Sequence, residues 1–102
     1  MSEREQASWS VYLLRRGDGG LYTGISTDVA RRFEEHRSGR GARSLRGKTL
    51  VGVVFSLELG SRSLATRVER RVKRLGKADK EALVASGCST QELLQRLDLA
   101  GS

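Results

Sequence analysis

The apolar positions fall into runs of two periods. Trp9 to Arg16, WSVYLLRR, is dense in aromatic and aliphatic residues and predicts a strand, although its alternation is imperfect. Gly17-Asp18-Gly19-Gly20 supplies the positive-φ residues of a tight hairpin, and Leu21 to Ile25 predicts the return strand. Tyr12 and Tyr22 have the same parity, so they either share a face of this hairpin or are split by a bulge. A helical period follows. Ser26 or Thr27 is a suitable N-cap, Asp28 suits the positive end of the dipole, and the helix runs from Asp28 to about Arg37, ending near Gly39. Val29 and Phe33 mark its core side, with Arg32 and His36, also four apart, on one face beside them.

The next run, RSGRGARSLRGK, is basic and glycine-rich with little to bury, which predicts a surface loop. LVGVVFSLEL, residues 50 to 59, is the most strand-like run in the chain and predicts a central strand. Ser61 or Ser63 caps a helix reaching about Leu75, with Leu64, Ala65, Val68, Val72 and Leu75 as its apolar stripe, Glu69 and Lys73 at the border and Gly76 as its stop. A short helix, Ala78 to Ala85, and a capping box at Ser89-Thr90-Gln91-Glu92 ahead of LLQRLDL complete the elements. This order predicts an α+β domain, a small three-stranded antiparallel sheet packed by helices. Residues 1–8 are expected to form a flexible tail, 9–86 the main domain, and 87–102 a C-terminal helix with frayed last residues.

Charge changes the picture more than size does. The 102 residues suit one small core, and a net charge of +7 makes polyanions the natural partners, because neutralised phosphates release counterions. Residues 31 to 48 carry seven Arg or Lys against two Glu, and residues 62 to 80 carry eight against two acids, so the remainder is net acidic. Two basic segments on such a chain read as a nucleic-acid patch, with Arg31, Arg37, Arg40, Arg43, Arg46 and Lys48 in the first and Arg70, Lys73 and Arg74 in the second. Cys88 is the only cysteine and reads as a buried small residue; with one His and one Cys there is no zinc cage. The polar N-terminus lacks a signal-peptide core, and no run approaches the ~20 apolar residues of a membrane span, so a soluble, cytoplasmic protein is expected.

Taken singly, the polar residues have ordinary explanations. Tyrosines are common in strands, a lone histidine beside an apolar stripe is usually a packing residue, and Glu69 precedes Lys73 by four in the favourable direction for a helix ion pair. Together they match what phosphodiester hydrolysis requires. A positioned guanidinium, Arg32, can stabilise charge on the phosphate oxygens. Glu69, the only acid between Gly60 and Ala78, can hold a divalent metal, and Mg²⁺ needs only one or two carboxylates from a protein. Tyr12 is a candidate base if a neighbouring cation lowers its pKa, with Tyr22 or His36 as orienter or alternate base.

Val11-Tyr12-Leu13, Tyr22-Thr23-Gly24, Arg32, His36 and Glu69 also resemble the motifs of the GIY-YIG nuclease superfamily, over roughly Trp9 to Leu75. The YTGIS and RRFEEH runs look like those of small single-domain bacterial members similar to the catalytic subunit of the eukaryotic Holliday-junction resolvase. The resemblance implies the same α+β architecture and roles by position. Tyr12, Tyr22 and Arg32 would surround the scissile phosphate, Glu69 would bind one Mg²⁺ or Mn²⁺ ion, and His36 matches a histidine of many members. Ser10, Val11 and Thr23 replace the usual glycine and isoleucines, and the asparagine that many members carry after the glutamate has no counterpart, since the chain contains none.

The expected function is therefore a metal-dependent DNA endonuclease of repair or recombination, directed by DNA shape because no second domain is present to read sequence; branched, nicked or single-stranded DNA are the candidate substrates. The alternative is a nucleic-acid-binding module on the same fold with little or no catalysis. A domain whose basic face meets an acidic protein is the third.

Overall fold

Strand β1 (Trp9–Arg16) lies between β2 (Leu21–Ser26) and β3 (Leu50–Gly60) in a three-stranded antiparallel sheet of order β2-β1-β3. The computed structural model describes residues 7–99, so most of the expected N-terminal tail and the last three residues lie outside it. Four helices accompany the sheet: α1 (Val29–Arg37), α2 (Arg62–Arg74), α3 (Lys77–Ser86) and α4 (Thr90–Arg96), with a 3-10 turn at Arg43–Leu45. The class is α+β, as the order of runs predicts.

The central strand is not the one expected. Residues Val11 to Leu14 are all buried, because β1 is covered on both faces, and a strand in that position needs no alternation. β3 is more apolar but lies at the edge, where Val51 is 65% exposed. A register shift at Leu13/Leu14 leaves Val54 without a partner on β1. Val11 and Leu13 point into the main core with Phe55, Val68, Val72, Leu83, Cys88, Leu93, Leu97 and Leu99. Tyr12 and Leu14 face the other way and stay outside that cluster.

Local signals set the element ends. Asp28, rather than Ser26 or Thr27, is the N-cap of α1; its carboxylate accepts from the Arg31 N–H while Ser26 Oγ accepts from Asp28 N–H. Ser61 caps α2, and Ser89 and Glu92 close a full capping box on α4. Of the hairpin glycines only Gly19 takes a positive φ, +88°. Gly76 has an ordinary φ of −69° and serves α3 as N-cap rather than ending α2 in the left-handed region.

Two features of the scaffold carry measurable consequences. Thr23, opposite Leu13, is 3% exposed, and its Oγ1 has no hydrogen-bond partner among the described residues. An unpaired buried hydroxyl costs about 1–3 kcal/mol, so the isosteric Thr23→Val is expected to add about 1 kcal/mol, or about 4–8 °C in Tm. A lower Tm for that variant would contradict this.

The second is a charged staple between α3 and the hairpin. Arg15 donates through both terminal nitrogens to Glu81, Nη2 at 2.7 Å, Lys77 Nζ donates to the same carboxylate at 2.9 Å, and both cations also reach the Gly19 carbonyl. These bonds push the Glu81 carboxyl down to about 2. A folded-state pKa below the unfolded value means that the stabilisation is complete above the ordinary carboxylate range and is lost as pH falls through about 2. Thermal melts of Glu81→Gln between neutral and acid pH should accordingly show a shallower acid limb than the parent; superimposable acid limbs would exclude this account.

Candidate active site

The hairpin register decides how the tyrosines meet. Tyr12 pairs with Gly24 and Tyr22 with Leu14, so the two phenols lie diagonally on one face, ring centroids 6.4 Å apart. Tyr12 leans across the neighbouring strand. A Cβ on Gly24 would come within 2.5 Å of its hydroxyl and 2.6 Å of its ring, and since Tyr12 is fully buried it has no room to yield. Gly24 is glycine because the Tyr12 side chain occupies the space of its side chain.

Helix α1 brings His36 onto the same face. Val29 and Phe33, expected to mark the core side, are half-buried, and His36 itself is the buried residue of the helix, 2% exposed. Its ring meets Tyr22 edge-on at 5.3 Å between centroids, and its Nε2 lies 2.7 Å from the Tyr12 hydroxyl. On the far side of the ring Nδ1 accepts the backbone N–H of Ala42 at 3.0 Å. Burial, then the nearby Arg32, holds the imidazole below its ordinary pKa, so it is neutral at pH 7.

Burial foremost, and then Tyr22, pushes the Tyr12 hydroxyl well above its ordinary range; Arg32 opposes the shift and Glu69 adds to it. The two charged residues, one from α1 and one from α2, therefore both act on this phenol. Arg32 is about one-third exposed and donates to Glu35 at 3.0 Å, an ion pair that holds Glu35 below the usual carboxylate range. Glu69 is largely covered, 19% exposed, and lies 3.4 Å from Lys73. Of the other four candidate side chains, Tyr22 and His36 thus contact Tyr12, and Arg32 and Glu69 act on it by charge.

The donor set accommodates only a lightly held cation. Among the described residues no three His, Cys, Asp or Glu side chains gather into a group, so a cage made by protein alone is not available. Glu69, a single shielded carboxylate whose cationic neighbour Lys73 is mostly exposed, fits an ion that keeps water and substrate phosphate as its other ligands.

Arg31, Arg37, Arg40, Arg43, Arg46, Lys48, Arg70, Lys73 and Arg74 are all exposed on α1, α2 and the loop after α1. Some are engaged within the chain: Arg37 with Glu34 at 2.7 Å and Arg40 with the Ser38 hydroxyl at 3.1 Å. Arg71 is a structural contact, donating to the Leu97 carbonyl at 2.8 Å. Sequence reasoning missed three things here. Glu35 is the partner of Arg32, Leu45 buries inside a loop read as wholly surface, and Ala42 holds His36 through its backbone. Two of the three had a signal, the opposite charges three apart on a helix and the lone leucine in a polar run; a backbone N–H carries none.

Among the described residues no helix is long and apolar enough to cross a membrane. Residues 8–82 match the model of the GIY-YIG catalytic domain. The UPF0213 protein YhbQ of Escherichia coli K12 is 55% identical over 89 residues, 87% of this chain and 89% of that protein, and a UPF0213 protein of Citrobacter koseri is 53% identical over the same shares. The solution structure of the UPF0213 protein BH0048 from Bacillus halodurans superposes with a TM-score of 0.52 at 38% identity, covering 88% of this chain and 96% of that one. With its tyrosine pair on a β2-β1-β3 sheet, the chain belongs to the GIY-YIG superfamily, alongside the small UPF0213 proteins of bacteria.

Proposed function

We propose that this protein is a divalent-metal-dependent DNA endonuclease that hydrolyses phosphodiester bonds by direct attack of water and acts in the cytoplasm in DNA repair or recombination. The observation that carries this reading is the buried cluster of Tyr12, Tyr22 and His36, with His36 Nε2 2.7 Å from the Tyr12 hydroxyl, beside which the charges of Arg32 and Glu69 act on the phenol in opposite directions. Arg32 binds a non-bridging phosphate oxygen, exchanging its partly exposed Glu35 for a stronger acceptor as charge builds there. Tyr12 takes the proton of the attacking water once it is ionised, which its burial opposes in the free protein and the positive charge of Arg32 favours. Tyr22 and His36 hold its ring in place. Glu69 would hold a Mg²⁺ or Mn²⁺ ion, which would supply positive charge to a phosphate oxygen and to the leaving oxyanion. The exposed cations of α1, the loop and α2 bind flanking phosphates, and branched, nicked or single-stranded DNA are the proposed substrates.

The test is cleavage of labelled linear, single-stranded and branched DNAs with Mg²⁺ or Mn²⁺, with Glu69→Ala beside the parent. Metal-dependent product is expected from the parent, falling at least about a hundredfold in the variant. A second reading, a binding module with little catalysis, draws on the ion pairs Arg32–Glu35 and Glu69–Lys73, which occupy both charged groups in the free protein. Salt-sensitive binding indifferent to Mg²⁺, with no product from the parent, would favour it.

A further inference from the structure

The loop between α1 and β3 does more than present arginines. Its Ala42 N–H points at His36 Nδ1 at 3.0 Å, and the opposite nitrogen of the ring faces the Tyr12 hydroxyl at 2.7 Å. A neutral imidazole carries one proton. An Nδ1 that accepts an amide hydrogen cannot carry it, so the proton sits on Nε2 and is donated to Tyr12; the doubly protonated ring is excluded by the same amide. The turn is held on both sides, by Arg40 N–H to the Glu35 carbonyl at 2.9 Å and by Leu45 N–H to the Ala42 carbonyl at 3.0 Å, with the Leu45 side chain buried. Gly41 completes the fit. A Cβ there would lie 2.1 Å from Nδ1 and 2.8 Å from the His36 backbone, so only glycine lets the turn close on the ring.

We propose that the Gly41–Ala42 turn is a positioning element of the site, whose backbone N–H fixes His36 as the Nε2–H tautomer and so makes His36 a hydrogen-bond donor to Tyr12 rather than the base that deprotonates it. The inference rests on the nuclease reading for its catalytic consequence only. A donor aimed at the phenol oxygen stabilises the phenolate more than the phenol, which is the form a water-activating Tyr12 requires. Because the same segment carries Arg40, Arg43 and Arg46, the loop that meets phosphates also sets the state of the residue behind Tyr12.

His36 is the only histidine, so long-range proton–nitrogen correlation spectra of the ¹⁵N-labelled protein contain one imidazole. At neutral pH the expected spectrum has Nε2 at the protonated and Nδ1 at the unprotonated position. The reverse assignment, or two averaged nitrogens, would overturn the proposal. Ala42→Pro removes the N–H at a residue whose φ of −57° a proline accepts, and is expected to release the fixed tautomer and slow cleavage by about ten- to a hundredfold. Ala42→Gly, which keeps the N–H, should retain the parent's nitrogen signature. An unchanged signature in a folded Ala42→Pro would also overturn the proposal, and if that variant does not fold, the parent and Ala42→Gly spectra decide. The spectra are independent of turnover: an Nε2–H tautomer in a parent that cuts no DNA would support the turn's role while defeating the nuclease reading alone.

Discussion

Replacing Arg32 by alanine is expected to slow cleavage by about a hundred- to a thousandfold under single-turnover conditions, the usual cost of removing one preorganised donor to a charge that develops in the transition state. Its loss acts twice. The phosphate oxygens lose their guanidinium, and Tyr12 loses the positive charge that counters its burial, so the base becomes harder to ionise. Stability should barely change, because the Arg32–Glu35 pair is a partly exposed surface bridge worth about 0–1 kcal/mol. Arg32→Lys should recover little of the rate, since an ammonium does not reproduce the two-pronged geometry of a guanidinium on phosphate. Cleavage by Arg32→Ala at the parental rate would remove Arg32 from the mechanism.

Tyr12→Phe should lose activity and stability together. Removing a general base costs about 10²–10⁴ in rate. Removing this hydroxyl also strands the His36 ring nitrogen in a site that is 2% exposed, and a buried polar group left without its partner costs about 1–3 kcal/mol. Tyr22→Phe is the contrast. Tyr22 is half-buried and contacts His36 through its ring, which phenylalanine keeps, so its Tm should stay close to the parent's while cleavage reports whether its hydroxyl is needed. Rates measured beside thermal melts separate these cases. Parental cleavage by Tyr12→Phe would show that the proton goes elsewhere.

Much of the fold was legible because its signals are local. The hairpin, the end of each helix within a residue or two and the capping box at Ser89 follow from turn chemistry and side-chain caps acting over three or four residues. The order of the strands was not. The apolar richness of β3 argued for the centre, whereas a central strand is identified by burial on both faces, and β1 has that with α1 setting His36 against Tyr12 on the face opposite the main core. The tyrosine pair was visible as two phenols of equal parity, but whether they shared a face depended on an unbroken β1–β2 register.

What the sequence by itself determined is the inventory and its spacing: a basic chain, three strands and four helices set by local pattern, and the tyrosines, arginine, histidine and glutamate in motif order. The tertiary structure alone decided that His36 is buried against both phenols and that the Ala42 amide, rather than any side chain, holds the imidazole. The reason is that these outcomes come from backbone atoms and through-space distances. Every residue offers the same amide, and only a folded loop anchored by Leu45 and relieved of a side chain at Gly41 can aim one at a particular ring.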